Sequence, residues 1–151
     1  MPRLRFLRSA ALVLLLAACA GDSPTEPQVE GRMTGTLDGA PWTGGAWAVL
    51  YKDSLSVGSM RDRAEHHVTL EVPFAGPGRY TVGAGKGRYY ETVGLDVLTY
   101  QAAATSGTLV VDTYDPASGE ITGTFELTAN GPRGATSFQN GEFEARVFVA
   151  P

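Results

Sequence analysis

Glu120-Ile-Thr-Gly-Thr-Phe-Glu-Leu-Thr-Ala129 alternates with a period of two: Ile121, Gly123, Phe125 and Leu127 fall on one face, Thr122, Thr124, Glu126 and Thr128 on the other. Successive side chains of a strand point to opposite sides of a sheet, so this stretch reads as a half-buried strand with β-favouring residues on its wet face. Working outward, His66–Val72 repeats the pattern, with Val68, Leu70 and Val72 inward and His67, Thr69 and Glu71 outward. Glu142–Val149 repeats it again, with Phe143, Ala145, Val147 and Val149 opposing Glu142, Glu144 and Arg146. Thr108–Tyr114 is rich in Leu and Val and fits a strand covered on both faces. Met33–Leu37, Ala46–Tyr51, Leu55–Met60, Tyr80–Val82 and Gly94–Gln101 complete the set. Asp38-Gly39 and Asn140-Gly141 suit tight hairpins because both residue types accept positive φ. The spacing predicts an all-β domain over residues 31–151, a single antiparallel β-sandwich of about eight short strands.

The chain has 151 residues, 12 Lys+Arg and 16 Asp+Glu. Arg3, Arg5 and Arg8 precede a wholly apolar run, Ala10–Ala18, which ends at Cys19. A charged start, a short apolar stretch and small residues before a cut site are the parts of an export signal. The run Ala10–Ala20 has 11 residues, whereas a spanning helix needs about 20. Leu16-Ala17-Ala18-Cys19 resembles the bacterial lipobox, with Leu16, Ala17 and Ala18 as the recognition residues. Cleavage before the cysteine and acylation of its thiol and amine would follow, leaving residues 1–18 as a signal peptide. Two or more acyl chains anchor a protein durably where one holds it marginally. The expected partner of Cys19 is therefore a membrane, reached through lipid rather than through a protein span. Ala20, where Asp would retain the protein at the inner membrane, points to the outer membrane of a bacterial envelope. Gly21–Glu30, GDSPTEPQVE, has two prolines, three acids and no apolar pattern; it reads as a flexible tether between Cys19 and the domain.

Several segments together carry a family resemblance. Leu37-Asp-Gly-Ala-Pro-Trp42 forms an opening hairpin and Gly78-Arg-Tyr-Thr81 a strand start. Ser106–Asp115 is followed by Ile121–Ala129, and Asn140-Gly-Glu-Phe143 opens the last strand. The set resembles small uncharacterised bacterial lipoproteins with a C-terminal β-sandwich domain of unknown function. The resemblance implies a surface lipoprotein and supplies no catalytic residue. It implies close backbone packing at Gly107 and Gly123 and core positions for Tyr80 and Phe125.

Composition excludes some chemistry. Removing the three leader arginines leaves nine bases against 16 acids, so the basic footprint that nucleic acid requires is missing. One cysteine allows no internal disulfide and no multi-cysteine metal site. His66 and His67, adjacent on a strand, point to opposite faces; one reads as a strand-end and one as a solvent histidine, and no metal site is expected. Gly83-Ala-Gly-Lys-Gly87 has the look of a phosphate loop but lacks its spacing and its Ser or Thr. Asp112, Asp115 and Glu120 gather round one turn without the calcium-loop pattern. No G-x-S-x-G turn is present and no spacing nominates a carboxylate pair. Among the aromatics, Trp47 and Tyr51 share a face and read as core. Tyr89 and Tyr90, with Lys86 and Arg88 beside the glycine-rich loop, make the best candidate ligand patch.

The expectation is a non-catalytic, cofactor-free, lipid-anchored module for an envelope glycan or protein. The alternatives are an envelope-polymer hydrolase using acidic residues, or a calcium-dependent adhesion module around Asp112–Glu120.

Overall fold

The computed structural model describes residues 31–60, 65–93 and 97–151. Leu16, Ala17, Ala18, Cys19 and the tether lie outside these residues, as do the first three positions of the strand expected at Gly94–Gln101. The described residues form nine strands and no helix: β1 (Arg32–Leu37), β2 (Ala40–Tyr51), β3 (Ser54–Ser59), β4 (His66–Pro73), β5 (Gly78–Thr81), β6 (Gly87–Val93), β7 (Val97–Tyr114), β8 (Glu120–Gly131) and β9 (Gly134–Ala150).

All nine belong to one sheet. Antiparallel pairs run from β1 through β2, β3, β4, β6, β7, β8 and β9 and back to β1, so eight strands close on themselves and β5 lies beside β7. The expected sandwiched core is thus enclosed by one wrapped sheet, with nine strands where about eight were anticipated. Closure depends on β7. Its first part, Val97–Ala103, pairs with β6, and Ala103–Tyr114 pairs with β8. Bulges between Ala104 and Ser106 and between Val111 and Thr113 turn the strand from one neighbour to the other. The Leu-Val-rich segment and the segment at 97–101 are therefore one long strand.

An eight-stranded closed sheet has an interior just wide enough for side chains to fill. Leu55, Val57, Val68, Leu70, Leu109 and Phe125 fill it here. Outside stand Thr122, Thr124, Glu126, Glu142 and Glu144, the reverse of a lipid-facing barrel wall, which is apolar outward. Two reciprocal pairs hold β8 to β9: Gly123 opposite Phe143, and Phe125 opposite Gly141. Each ring lies across the partner glycine, so a Cβ on Gly141 would come within 2.5 Å of Phe125 Cε1 and one on Gly123 within 2.7 Å of Phe143 Cε1.

Asp38-Gly39 makes the expected hairpin, with φ of 49° and 84°. Asn140-Gly141 does not. Asn140 takes φ 51° inside β9, where the register with β8 slips between Phe125 and Leu127. A positive φ serves a bulge as well as a hairpin, and Pro132-Arg133, flanked by the paired Gly131 and Gly134, provides the β8–β9 turn instead.

Candidate functional site: an aromatic groove on the outer wall

Cross-strand register brings Trp47, Gly58, Thr69 and Arg88 side by side on β2, β3, β4 and β6. Partners in register point to the same side, and this row spans three strand spacings, ~14 Å. Gly58 decides its shape. A Cβ there would lie 2.5 Å from Trp47 Cζ2, so the missing side chain is what allows the indole to lie over the sheet. Trp47 Nε1 donates to the Ser59 carbonyl at 3.0 Å and fixes the ring. One turn of the alternation further along, Tyr90 faces Gln101 of β7 and stacks on His67, with centroids 4.8 Å apart and planes 18° from parallel. Trp47, Met60, Thr69, Arg88, Tyr90 and Gln101 line a groove of ≈ 500 Å³. A narrower extension of ≈ 250 Å³ passes Lys86 and Glu71.

Charge differs along the groove. Lys86 Nζ donates to Glu71 Oε1 at 2.7 Å, and Ser54 Oγ donates to the same oxygen at 3.3 Å. The Lys86 hydrogen bond, against a smaller effect of burial, holds the Glu71 carboxyl below its usual range. Such an exposed pair contributes ~0–1 kcal/mol. Arg88 has no ion-pair partner among the described residues and projects from the exposed outer face of β6. The groove therefore offers two half-buried rings, an uncompensated guanidinium and an amide.

This arrangement keeps three members of the sequence-derived patch, Lys86, Arg88 and Tyr90, on one wall and separates Tyr89 from them. Tyr89 is 3% exposed and points into the barrel. Strand β6 runs where a loop was expected, and strand geometry sends neighbours 89 and 90 to opposite faces. Trp47 and Tyr51 share a face as expected, but it is the outer one. The inner positions of that strand are Trp42, Ala46 and Ala48. Sequence reading thus assigned both Trp47 and Tyr51 to the wrong side, and the signal for Trp47, a glycine opposite a tryptophan, exists only once register is known.

Neither histidine is a solvent residue. His67 is fully buried although it lies on the outer face, covered by Tyr90, with Nε2 3.0 Å from Thr92 Oγ1. His66 is half-buried and belongs to a network that closes one end of the barrel. Tyr89 donates its phenolic proton to Glu91 Oε1 at 2.8 Å, and Arg133 Nη1 donates to Glu91 Oε2 at 2.7 Å. His66 Nδ1 lies 2.8 Å from Tyr89 Oη. The phenol has one proton and a carboxylate only accepts, so the imidazole supplies the proton of that second contact. The Arg133 guanidinium sits 4.2 Å from the Tyr100 ring centroid, and Trp42 Nε1 donates to the His66 carbonyl at 3.1 Å.

Burial, reinforced by the Glu91 carboxylate, pushes the Tyr89 phenol well above its ordinary range. Burial alone would raise the Glu91 carboxyl, but the Tyr89 and Arg133 hydrogen bonds outweigh it and hold that carboxyl below its usual value. A depressed carboxyl contributes stability above its unfolded value, ~4.3, and loses it as pH falls through the folded one. Glu91→Gln will therefore cost about 1 kcal/mol at pH 7. Thermal melts will show that deficit shrinking below about pH 4, as the wild-type carboxylate also becomes neutral.

The remaining candidates are engaged elsewhere. Both Asp115 carboxylate oxygens serve their own turn, accepting from Ala117 N at 2.8 Å and Ser118 Oγ at 2.9 Å; these bonds, Ala117 first, lower its pKa. Asp112, Glu142 and Glu144 share a separate outer groove of ≈ 400 Å³ with Arg32. No group of three His, Cys, Asp or Glu among the described residues is placed to hold a metal. The 83–87 loop is pinned by backbone bonds, with Lys86 N donating to Gly83 O within the loop and Gly85 N to Ala104 O of β7.

These features define a class: a small closed β-sheet domain, filled at its centre, with an aromatic groove on its outer wall. The chain belongs to the family described as Domain of unknown function (DUF6252), which matches residues 30–146. The match takes in every strand as far as Arg146 of β9 and agrees with the resemblance at the level of an uncharacterised domain. No curated protein and no solved structure matches the chain.

Proposed function

We propose that this protein is a lipid-anchored component of the bacterial envelope, at the outer membrane, and that its domain binds an envelope glycan non-catalytically in the outer groove. The observation that carries the binding half is the Trp47 indole laid over Gly58, beside Tyr90 and Arg88, which has no ion-pair partner among the described residues. Flat rings offer apolar faces on which the C–H face of a sugar stacks, while guanidinium and amide donors reach its oxygens. The groove's ~14 Å span suits a short oligosaccharide rather than a single ring. The anchoring half rests on Leu16-Ala17-Ala18-Cys19 following a short apolar run.

The two halves are tested separately. Mass spectrometry of the mature N-terminus should find an acylated Cys19; an unmodified N-terminus at another residue would remove the anchor. Retention on immobilised envelope polysaccharide should fall about tenfold or more for Trp47→Ala and for Arg88→Ala, the loss expected of a central contact. Unchanged thermal midpoints would show that the fold survives. Undiminished retention in both variants would remove the groove as the site.

A further inference from the structure

We infer that the end of the barrel carrying Tyr51, Phe148 and Val149 is a membrane-contact surface, seated in the headgroup region of the same lipid leaflet that holds Cys19. The inference rests on the lipid-anchor reading above and adds which face of the domain meets the bilayer. Phe148 is 65% exposed, Val149 62% and Tyr51 49%. Register brings Tyr51 and Phe148 together, since Val49 pairs with Phe148 and Tyr51 with Ala150; Val149, the next residue along β9, points to the other face at the rim of the barrel. Phe148 and Tyr51 are therefore diagonal neighbours on adjacent strands, close enough for their rings to form one patch.

The position at which the described chain begins selects the occupant. β1 lies between β2 and β9 only as far as Arg32, which is opposite Gly45 on one side and Glu144 on the other. Beyond that point β2 and β9 pair directly, from Ala48 with Val147 to Tyr51 with Ala150. The described residues begin at this junction, with Gly31 against Ala46 of β2. Phe148 is four residues along β9 from Glu144, ~13 Å. The ten residues Gly21–Glu30 reach at most about 35 Å. That reach exceeds the distance to Phe148, so a bilayer that holds Cys19 comes within range of this end, and exposed aromatic and branched side chains are what an interfacial contact uses. The hairpin tip beside them carries Lys52 and Asp53, of opposite sign, so the apolar side chains supply the contact and a neutral bilayer suffices. Val93, Val97 and Leu98, also exposed, stand at the opposite end of the barrel from Phe148 and Tyr51.

The test uses the full-length, processed protein reconstituted in phosphatidylcholine vesicles. Acylated Cys19 leaves no native thiol, so Phe148→Cys carries the single attachment point for bimane, with Tyr51→Cys as a second reporter on the same patch and Ala103→Cys, at an exposed position of β7 four strands round the ring from β2, as a reporter away from it. Bimane at 148 and at 51 should shift to shorter wavelength and lose most of its emission to lipids spin-labelled near the headgroup, while bimane at 103 should be unaffected. Co-flotation with the vesicles but no quenching at 148 or 51 overturns the inference and leaves the anchor intact. Equal quenching at all three positions overturns it by showing no preferred orientation. A blue shift at 148 without lipid quenching, accompanied by 148–148 cross-linking, assigns the patch to a second copy of the chain. Failure of the processed wild-type protein to float removes the anchor reading, and this inference with it.

Discussion

Gly123→Val will destabilise the domain by about 3 kcal/mol or more, at the upper end of what overpacking a core costs. A Cβ at 123 would sit inside contact distance of the Val110 carbonyl oxygen and 2.7 Å from the Phe143 ring. The ring is buried and pairs in register with the glycine, so it has no free space to move into. The carbonyl belongs to β7, whose pairing with β8 closes the sheet. The substitution therefore pushes on the seam of the barrel rather than on one side chain. For a domain of this size the thermal midpoint should drop by roughly 10 °C or more. Thr122→Ser, one residue away on the outer face, should stay within about 0.5 kcal/mol of wild type. Circular dichroism melts of the two variants make the comparison, and equal midpoints would show that β7 and β8 separate at little cost.

The second large effect is Phe138→Ala, expected to cost about 3–5 kcal/mol. Phe138 is buried at the centre of an aromatic group. Its ring meets Trp42 edge-on with centroids 5.1 Å apart, and lies 5.8 Å from Tyr89 and 6.2 Å from Phe125. Truncation leaves a cavity that these rings, each tied down elsewhere, fill poorly. Trp42 is held through Nε1 to His66 O, and Tyr89 through its hydroxyl to Glu91 and His66. Trp42 emission provides a second readout, since water admitted near the indole shifts it to longer wavelength. Phe138→Leu, which refills much of the space, should recover a large part of the loss. A midpoint for Phe138→Ala equal to that of wild type would mean that the aromatic group does not contribute to stability.

The parts of the fold that sequence exposed are those in which neighbours along the chain carry the information. β8 and β4 were legible because one face of each is consistently apolar and the other consistently polar. The Asp38-Gly39 hairpin was legible because positive φ favours few residue types. β6 was not. Gly-Arg-Tyr-Tyr-Glu-Thr-Val places Tyr89 and Glu91 on one face and Arg88 and Tyr90 on the other, so alternation gives neither face a claim to the interior. The second half of β2 misleads outright, because Trp47, Val49 and Tyr51 face outward while Ala46 and Ala48 face in. The interior of an eight-stranded ring is narrow, and small side chains on β2 leave room for the large ones of other strands.

Sequence alone determined the all-β class and the inward and outward sets of the strongly alternating strands, since each depends on spacing within one short stretch. Tertiary structure decided that the sheet closes through β7 and β8, that Tyr89 lies inside and Trp47 outside, and that Trp47, Gly58, Thr69 and Arg88 form a row. The reason is register. A shift of one residue between paired strands exchanges every inward side chain for an outward one, and that choice is made by hydrogen bonding between segments far apart in the chain.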